Sequence, residues 1–158
     1  MDFFNDETVR IGYESKEVPN PDSSHAIIRE PLQKEPDVKT YADSLMICLG
    51  KEISGRLQIV VEKSPLQFHF YKEGRHLFSE AQGFFNRPDF NGFRIKLKPD
   101  EFIYGTGARS IPVNRRGHKI ELYNQPHYGY GEGAPYLNYS VPVWSSSENY
   151  LVLFDNAQ

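Results

Sequence analysis

The chain has 158 residues, of which 39% are hydrophobic and 14% aromatic, and its formal net charge is −3. This length suits about one domain, and the aromatic rings supply much of the area that a core of this size buries. The slightly negative net charge argues against nucleic acid as a partner. No apolar run approaches the roughly 18–20 residues that a membrane-spanning helix needs, so we expect no membrane span.

Neither the N-terminus nor the cysteine content fixes the compartment. The sequence begins MDFFNDETVR, without the basic and then apolar segments of an intact secretory signal. A cytoplasmic protein fits this start, and so does a periplasmic or secreted protein whose signal has been removed. The single cysteine, Cys48, excludes an intramolecular disulfide, and its apolar neighbours predict a small buried side chain on a strand.

The first part of the chain differs in composition from the rest. Residues 1–42 carry four prolines among many charges, which predicts an extended segment that packs lightly on the edge of a domain. Residues 25–29 have the pattern of a short strand, and residues 36–42 are also compatible with a short helix. We expect residues 43–158 to form the main domain.

Apolar and polar residues alternate from residue 43 onward. The alternation is clear in residues 57–62, 66–71 and 93–98, and each run places one face on a core and the other in water. Turn residues separate the runs, and Lys72-Glu73-Gly74 predicts a three-residue hairpin in which Gly74 takes a positive φ. Short strands with such turns predict an all-β protein built as an antiparallel β-sandwich or barrel.

The last strand, Tyr150-Leu-Val-Leu-Phe154, is apolar on both faces. Strands of this composition are buried between two layers, yet this one lies close to residue 158, and chain ends usually lie at the surface. We therefore expect that the natural polypeptide continues and that further strands complete the sandwich. Uncovered edges on the chain as given would favour a homo-oligomer.

Five short motifs in the C-terminal third occur in a characteristic order. They are Phe102-Ile-Tyr-Gly-Thr-Gly-Ala-Arg109, Pro112-Val-Asn-Arg-Arg-Gly117, Leu122-Tyr-Asn124, Tyr139-Ser-Val-Pro142 and Tyr150-Leu-Val-Leu-Phe-Asp-Asn156. In order and spacing this region resembles the N-terminal β-sandwich domain of family 31 glycoside hydrolases, the group of α-glucosidases, α-xylosidases and α-galactosidases. The resemblance implies a galactose-mutarotase-like supersandwich. One departure is Ala108, where the family often carries Glu.

The resemblance also carries functional implications. In this family two carboxylates on a (β/α)8 barrel that follows the sandwich carry out retaining hydrolysis. The aspartate motifs of that barrel are absent from these residues. The resemblance thus implies a non-catalytic domain, inactive alone and without cofactor or metal, that belongs to a retaining α-glycosidase, by default an α-glucosidase. It would support the missing barrel and extend a loop toward the α-linked oligosaccharide.

The loop that matches is residues 124–139. Tyrosine offers a stacking face and a hydroxyl to a sugar, a carboxylate accepts hydrogen bonds from sugar hydroxyls, and the intervening glycines let a ligand approach closely. The candidate substrate-binding residues are His127, Tyr128, Tyr130, Glu132 and Tyr136. The alternative for each tyrosine is packing against its own domain or the barrel. Glu132 is not expected to be catalytic, because no partner carboxylate lies near it in sequence.

Three other motifs have simpler interpretations. Gly105-Thr-Gly-Ala-Arg-Ser lacks the third glycine of a phosphate loop and precedes a proline, so we predict a tight turn between strands. The basic run at residues 115–119 has no second cluster to support nucleic-acid binding; Arg115 or Arg116 should instead bond backbone carbonyls or an acidic group. His69 and His76 could face each other across a hairpin, but no third metal ligand is evident.

Two alternatives to the glycosidase domain remain open at this point. A free-standing carbohydrate-binding β-sandwich would share the composition, although the two-faced apolar strand at residues 150–154 argues against a complete module. An aldose mutarotase would share the architecture, but it needs an acid and a base on one concave face, and the sequence nominates no convincing His/Glu pair.

Overall fold

Antiparallel strands account for the regular structure of the residues described by this computed structural model, namely 1–13, 24, 26–33, 35–48, 56–126 and 128–155. These residues form eleven strands and no helix, which confirms the all-β prediction. In the same residues, no helix is long and apolar enough to cross a membrane. The chain divides into two compact units, Met1–Lys98 and Pro99–Gln158, called here the first and second units and described separately.

The first unit begins with a β-hairpin of two short strands, β1 (Asp2–Asn5) and β2 (Thr8–Arg10). Phe3 and Phe4 are buried, and the Arg10 guanidinium closes the hairpin through a 2.7 Å ion pair with Asp2. The backbone N–H of Leu57 donates to the carbonyl of Asp6 at 2.9 Å. The first residues thus contribute two aromatic rings to the core, which the proline- and charge-rich composition of residues 1–42 did not indicate.

A six-stranded antiparallel sheet forms the body of the first unit. Its strands follow one another in chain order: β3 (Asp37–Thr40), β4 (Ser44–Cys48), β5 (Leu57–Lys63), β6 (Leu66–Lys72), β7 (Arg75–Arg87) and β8 (Phe90–Lys96). Because β3 pairs with β4 along its whole length, residues 37–40 belong to this sheet. The helix considered for residues 36–42 is therefore wrong, and residues 26–29 form no strand, while His25 lies outside the described residues.

One face of this sheet carries the core. Ile59 and Val61 on β5 lie opposite Phe70 and Phe68 on β6, and all four are buried, as the alternation predicted. The Phe70 ring stacks on that of Phe78 with 4.3 Å between centroids. The opposite face is mostly polar, with His69 opposite Ser79 and Tyr71 opposite His76. The predicted strands at residues 57–62 and 66–71 are thus confirmed, and their faces follow the prediction except at Leu66, which is 49% exposed, and Gln58, which is buried.

The predicted hairpin between β6 and β7 is confirmed but is one residue shorter. Lys72 pairs with Arg75, so the loop contains Glu73 and Gly74 alone. Their φ values are 52° and 73°. Two consecutive positive φ angles match the twist of the flanking strands, which is why such two-residue turns are favoured over three-residue ones.

The second unit holds a three-stranded antiparallel sheet, β9 (Ile103–Gly107), β10 (Ser140–Ser146) and β11 (Leu151–Leu153), in the order β11-β10-β9. Tyr150, just before β11, is buried, but Leu151 is 62% exposed. The expectation that residues 150–154 are covered on both faces is therefore not met in this structure. Trp144 on β10 contacts Phe154 edge to face at 5.7 Å.

The Gly-Thr-Gly segment lies inside β9 and is not the tight turn that the sequence indicated. Gly105, Thr106 and Gly107 have φ values of 104°, 65° and 84°. The register with β10 shifts between Ser140 and Trp144, which marks an irregularity that the positive φ values accommodate. A Cβ on Gly107 would lie 2.4 Å from the Tyr139 carbonyl oxygen, so glycine is needed there for strand approach.

Candidate functional site

The loop from residue 124 to residue 139 is held at its base by backbone contacts. Asn124 and Leu137 form an isolated β-bridge, and Leu137 is buried. The Asn124 side-chain oxygen accepts a 2.7 Å hydrogen bond from the backbone N–H of Ser140. These contacts fix where the loop leaves and rejoins the second unit.

An open cleft of about 440 Å³ lies between this loop and the segment that follows β9. It is lined by Arg109, Ser110, Ile111, Pro112, Tyr130, Gly131 and Glu132. The lining thus contains one guanidinium, one carboxylate, one phenol and one hydroxyl. These groups belong to Arg109, Glu132, Tyr130 and Ser110. Such a mixture of an aromatic face with a few polar groups is typical of sites for small polar ligands.

Hydrogen bonds between the two segments shape the cleft. The Ser110 hydroxyl donates to the Gly131 carbonyl, and the backbone N–H of Gly133 donates to the Ser110 carbonyl at 2.6 Å. Gly133 has a φ of 79°, which lets the backbone turn back toward Ser110. Because Ser110 lies outside the loop in sequence, its role was not apparent from the composition of residues 124–139.

Arg109 connects the cleft to the loop base. Its guanidinium donates to the Glu121 carbonyl at 3.0 Å, to the Ser140 hydroxyl at 2.7 Å and to the Tyr139 carbonyl at 3.3 Å. Its Nε is buried without a hydrogen-bond partner among the described residues. Burial, and then the neighbouring Arg115, lower the pKa of Arg109. The sequence signal for this residue was its place directly after the Gly-Thr-Gly-Ala segment, which we interpreted as a turn.

Two of the five candidate residues lie in the cleft. Tyr130, 57% exposed, and Glu132 both line it. Tyr128 is 96% exposed and is not part of the lining. His127 lies outside the described residues.

Tyr136, the fifth candidate, lies outside the cleft and contacts its own unit. Its hydroxyl donates to the Glu121 carboxylate at 2.5 Å, and its ring meets Tyr123 edge to face at 5.5 Å. The hydrogen bond from Tyr136, followed by Lys119 at 3.2 Å, lowers the pKa of Glu121, and the same bond raises the pKa of Tyr136. Tyr136 thus makes contacts of the kind that the packing alternative describes, and its contact with sugar stays a prediction.

The arginines of the basic run support the scaffold of the second unit, as predicted. Arg115 donates to the carbonyls of Ile111 at 2.9 Å and Pro112 at 2.8 Å. Arg116 donates to the carbonyls of Pro99 and Glu101, both at 2.9 Å. The predicted bonding of these arginines to backbone carbonyls is thus confirmed.

The chemistry that the cleft offers is recognition. Of the described residues that line it, Glu132 carries the one carboxylate. Retaining glycoside hydrolysis uses two carboxylates about 5 Å apart. No group of three or more His, Cys, Asp or Glu side chains in the described ranges is placed to hold a metal ion. The cleft can accept hydrogen bonds at Glu132, donate them at Tyr130, and stack a ring on Tyr130.

The whole chain, residues 1–158, matches the family model of the glycosyl hydrolase 31 N-terminal galactose mutarotase-like domain. The chain belongs to this family. Homologues in family 31 are glycoside hydrolases, and this region is the N-terminal part of such enzymes. The predicted family and the galactose-mutarotase-like sandwich class are confirmed. No curated protein sequence is significantly similar to the chain.

Solved structures agree with the family assignment. A family 31 dextranase from Flavobacterium johnsoniae in complex with glucose is 30% identical, with a TM-score of 0.74 over 85% of this chain. A mutant of the same dextranase was solved with isomaltotriose. This chain covers 17% of the dextranase, so it corresponds to less than a fifth of that enzyme.

Two more distant structures share the fold. The cycloalternan-forming enzyme of Listeria monocytogenes, in complex with a pentasaccharide substrate, is 20% identical with a TM-score of 0.63; 80% of this chain and 12% of that one are covered. A family 31 α-xylosidase from Xanthomonas citri is 22% identical with a TM-score of 0.56 over 84% of this chain and 14% of its own. At these identities the likeness concerns the fold.

Proposed function

We propose that this chain is the N-terminal, non-catalytic domain of a retaining α-glycosidase, that it supports a catalytic (β/α)8 barrel, and that residues 124–139 contribute to the sugar pocket. The observation that carries the proposal is the cleft in which Tyr130 and Glu132, both nominated from the sequence, lie beside Arg109. Membership of the family supplies the enzymatic context.

The proposed role of the cleft follows from the chemistry of its lining. The half-exposed Tyr130 ring offers an apolar face to the C–H surface of a pyranose, and Glu132 can accept hydrogen bonds from neighbouring sugar hydroxyls. Arg109 is engaged by the backbone of the loop base, so its contribution is to hold the loop in place. Tyr136 and Glu121 add a second support below the loop.

For the substrate we propose an α-linked glucan, and for the activity an α-glucosidase-type hydrolysis. The support is the 30% identity to a dextranase whose structures contain glucose and isomaltotriose. His127, which lies outside the described residues, remains a proposed contact of such a ligand, whereas Tyr128 lies outside the cleft lining and is not proposed to touch the sugar there. No described residue of this chain is assigned a catalytic role.

The experiment compares variants in the full-length enzyme. Tyr130→Ala and Glu132→Gln should each raise KM for isomaltotriose about three- to tenfold, the effect of losing one stacking or hydrogen-bonding contact. The value of kcat should change little, because neither group takes part in the chemical step. Tyr128→Ala removes the same kind of ring from the same loop but outside the cleft, and it serves as the matched control.

Thermal unfolding separates binding from packing. Under the proposal the Tyr130 and Glu132 variants keep the melting temperature of the wild type. An unchanged KM together with a lowered melting temperature would reduce the loop to a packing element. A larger KM effect for Tyr128→Ala than for Tyr130→Ala would place the sugar outside the cleft.

A further inference from the structure

The outer half of the β7–β8 hairpin carries an aromatic and basic cluster on one face. Phe85 lies opposite Gly92, and Arg87 lies opposite Phe90. The Arg87 guanidinium lies 5.6 Å from the ring centroids of both Phe85 and Phe90, and Arg94 lies 5.7 Å from that of Phe85. The two rings meet edge to face at 5.8 Å. These four residues, Phe85, Arg87, Phe90 and Arg94, are called the hairpin cluster.

Among the described residues, the two arginines of this cluster contact aromatic rings and form no ion pair. In the described ranges, neither guanidinium forms an ion pair or a hydrogen bond, although Asp89 lies in the turn between the strands. Stacking on a ring fixes the plane of a guanidinium and leaves its N–H donors pointing outward. The hairpin cluster thus presents oriented, unpaired donors on a chain whose net charge is −3.

The aromatic members are open to a ligand. Phe90 is 53% exposed, and the Phe85 ring covers Gly92, where an added Cβ would lie 3.5 Å from the ring. Lys96 extends the positive charge along the same face of β8. An aromatic surface flanked by guanidinium groups matches a ligand that combines apolar C–H ring faces with anionic substituents.

We propose that the hairpin cluster binds an acidic polysaccharide, a chain of sugar rings that carry carboxylate or sulfate groups. The guanidinium forks of Arg87 and Arg94 bind the anionic groups in pairs of hydrogen bonds, and Phe90 stacks on a pyranose face. The cluster lies in the first unit, whereas the cleft at Tyr130 lies in the second. It therefore acts as an anchoring surface with its own ligand and uses none of the cleft residues.

Sugar is favoured over nucleic acid as the occupant for two reasons. The cluster spans two short strands and offers two or three cations, whereas nucleic-acid binding sites usually neutralise a longer row of phosphates. The chain also belongs to a family of carbohydrate enzymes, which is the one premise shared with the proposed function. Failure of the loop proposal would leave this one intact, because the variants that test them do not overlap.

The experiment measures binding of dextran, dextran sulfate and polygalacturonate to the natural protein by calorimetry at low and at physiological salt. Dextran and dextran sulfate share a backbone, so their comparison isolates the charge, and polygalacturonate distinguishes carboxylate from sulfate. The double variant R87Q/R94Q should weaken binding of an acidic polymer at least tenfold, as expected for two lost charge-assisted contacts. R94K keeps the charge but loses the fork and should fall between.

Two further variants guard against a folding artefact. Arg75→Gln removes an equal charge from the same sheet and should leave binding unchanged. Arg75 pairs with Lys72 on the face of Phe70, whereas Arg94 and Lys96 lie on the opposite face, with Ser79. Phe90→Ala removes a half-exposed ring and should weaken binding of the acidic polymer several-fold, with an unchanged circular dichroism spectrum. Equal affinity of wild type and R87Q/R94Q for both acidic polymers would overturn the proposal. Tighter binding of duplex DNA than of either polymer would overturn it as well.

Discussion

The backbone polar groups of the first and second units find their hydrogen-bond partners in different ways. In the first unit, six consecutive strands pair with their sequence neighbours, so the ladder supplies most backbone hydrogen bonds. In the second unit, three short strands enclose a long irregular segment, and the side chains of Arg109 and Arg115 donate to its carbonyls. Arg116 donates to the carbonyls of Pro99 and Glu101, just before β9. In the second unit, arginine side chains thus donate to backbone carbonyls that have no neighbouring strand to pair with.

This difference has a consequence for function. A loop that is fixed by hydrogen bonds from a few long side chains can adopt an irregular conformation and form a cleft, which a regular strand ladder would not do. The same arrangement concentrates stability in a few residues. We therefore expect single substitutions to have larger effects in the second unit than at comparable positions of the first.

The largest expected effect is that of Arg115→Ala. This change removes donors to four carbonyls, those of Gly105, Gly107, Ile111 and Pro112. Since hydrogen bonds from charged groups contribute about 1.5–3 kcal/mol each and are not additive, we expect a loss of about 3 kcal/mol in unfolding free energy. Chemical denaturation measures the loss, and hydrogen exchange should accelerate in β9 but not in β5 and β6.

The control for this variant is Lys119→Ala. Lys119 is an exposed cation of the same unit whose ion pair with Glu121 lies at the surface. Exposed ion pairs contribute about 0–1 kcal/mol, so the change should be small. If Arg115→Ala cost no more than Lys119→Ala, the view of arginine as a replacement for strand pairing would be wrong.

A pair of glycine substitutions compares the units directly. Gly107 in β9 and Gly74 in the first-unit hairpin both have positive φ, at 84° and 73°. An alanine at Gly74 would meet nothing within 4 Å, so we expect the backbone strain alone, about 1 kcal/mol. An alanine at Gly107 adds a clash with the Tyr139 carbonyl and should cost at least about 2 kcal/mol. Equal melting temperatures for the two variants would show that the close approach of β9 and β10 has no energetic weight.

The smallest expected effect concerns Glu80, a buried carboxylate within the regular sheet of the first unit. Burial raises its pKa above the ordinary 4.5, although the Phe68 N–H donates to it at 3.1 Å. A raised folded pKa adds stability at low pH that is lost as the pH rises through the folded value. Glu80→Gln keeps an acceptor for Phe68 and removes the charge. We expect it to stabilise the protein on the order of 1 kcal/mol at pH 7.

The pH dependence of this variant provides its check. The advantage of Glu80→Gln should shrink as the pH falls toward 4.5, because the folded wild-type carboxyl, whose pKa is raised, becomes protonated and no longer buries a charge. Melting curves of both proteins between pH 4.5 and pH 8 would measure this. A constant difference across that range would mean that the Glu80 carboxylate carries no burial cost.

The fold was predictable where pairing is local. Alternation in residues 57–62 and 66–71 gave the strands and their buried faces, because adjacent strands pair with one another. It did not indicate that Phe3 and Phe4 are buried, since the N-terminal hairpin bonds to residues far along the chain, with the Leu57 N–H donating to the Asp6 carbonyl. The Gly-Thr-Gly pattern predicts a turn because positive φ is commonest in turns, whereas in the structure it interrupts a strand.

The candidate site was predictable from the sequence only in part. Residue chemistry nominated Tyr130 and Glu132, and the cleft contains both. The sequence did not distinguish them from Tyr128 and Tyr136, because which ring faces the cleft depends on the contacts of Ser110 with Gly131 and Gly133. Arg109 and Ser110 were missed because they act on the loop from a segment about 20 residues earlier.

The central claim, that the loop contacts sugar through the cleft, is tested most directly by hydroxyl-radical footprinting of the full-length enzyme with and without saturating glucose. Tyr130 and Tyr128 lie two residues apart, both accessible in the chain, so each reports on its own surroundings. The account predicts that glucose protects Tyr130 from oxidation and leaves Tyr128 unchanged. Unaltered oxidation of Tyr130 at saturating glucose would contradict it.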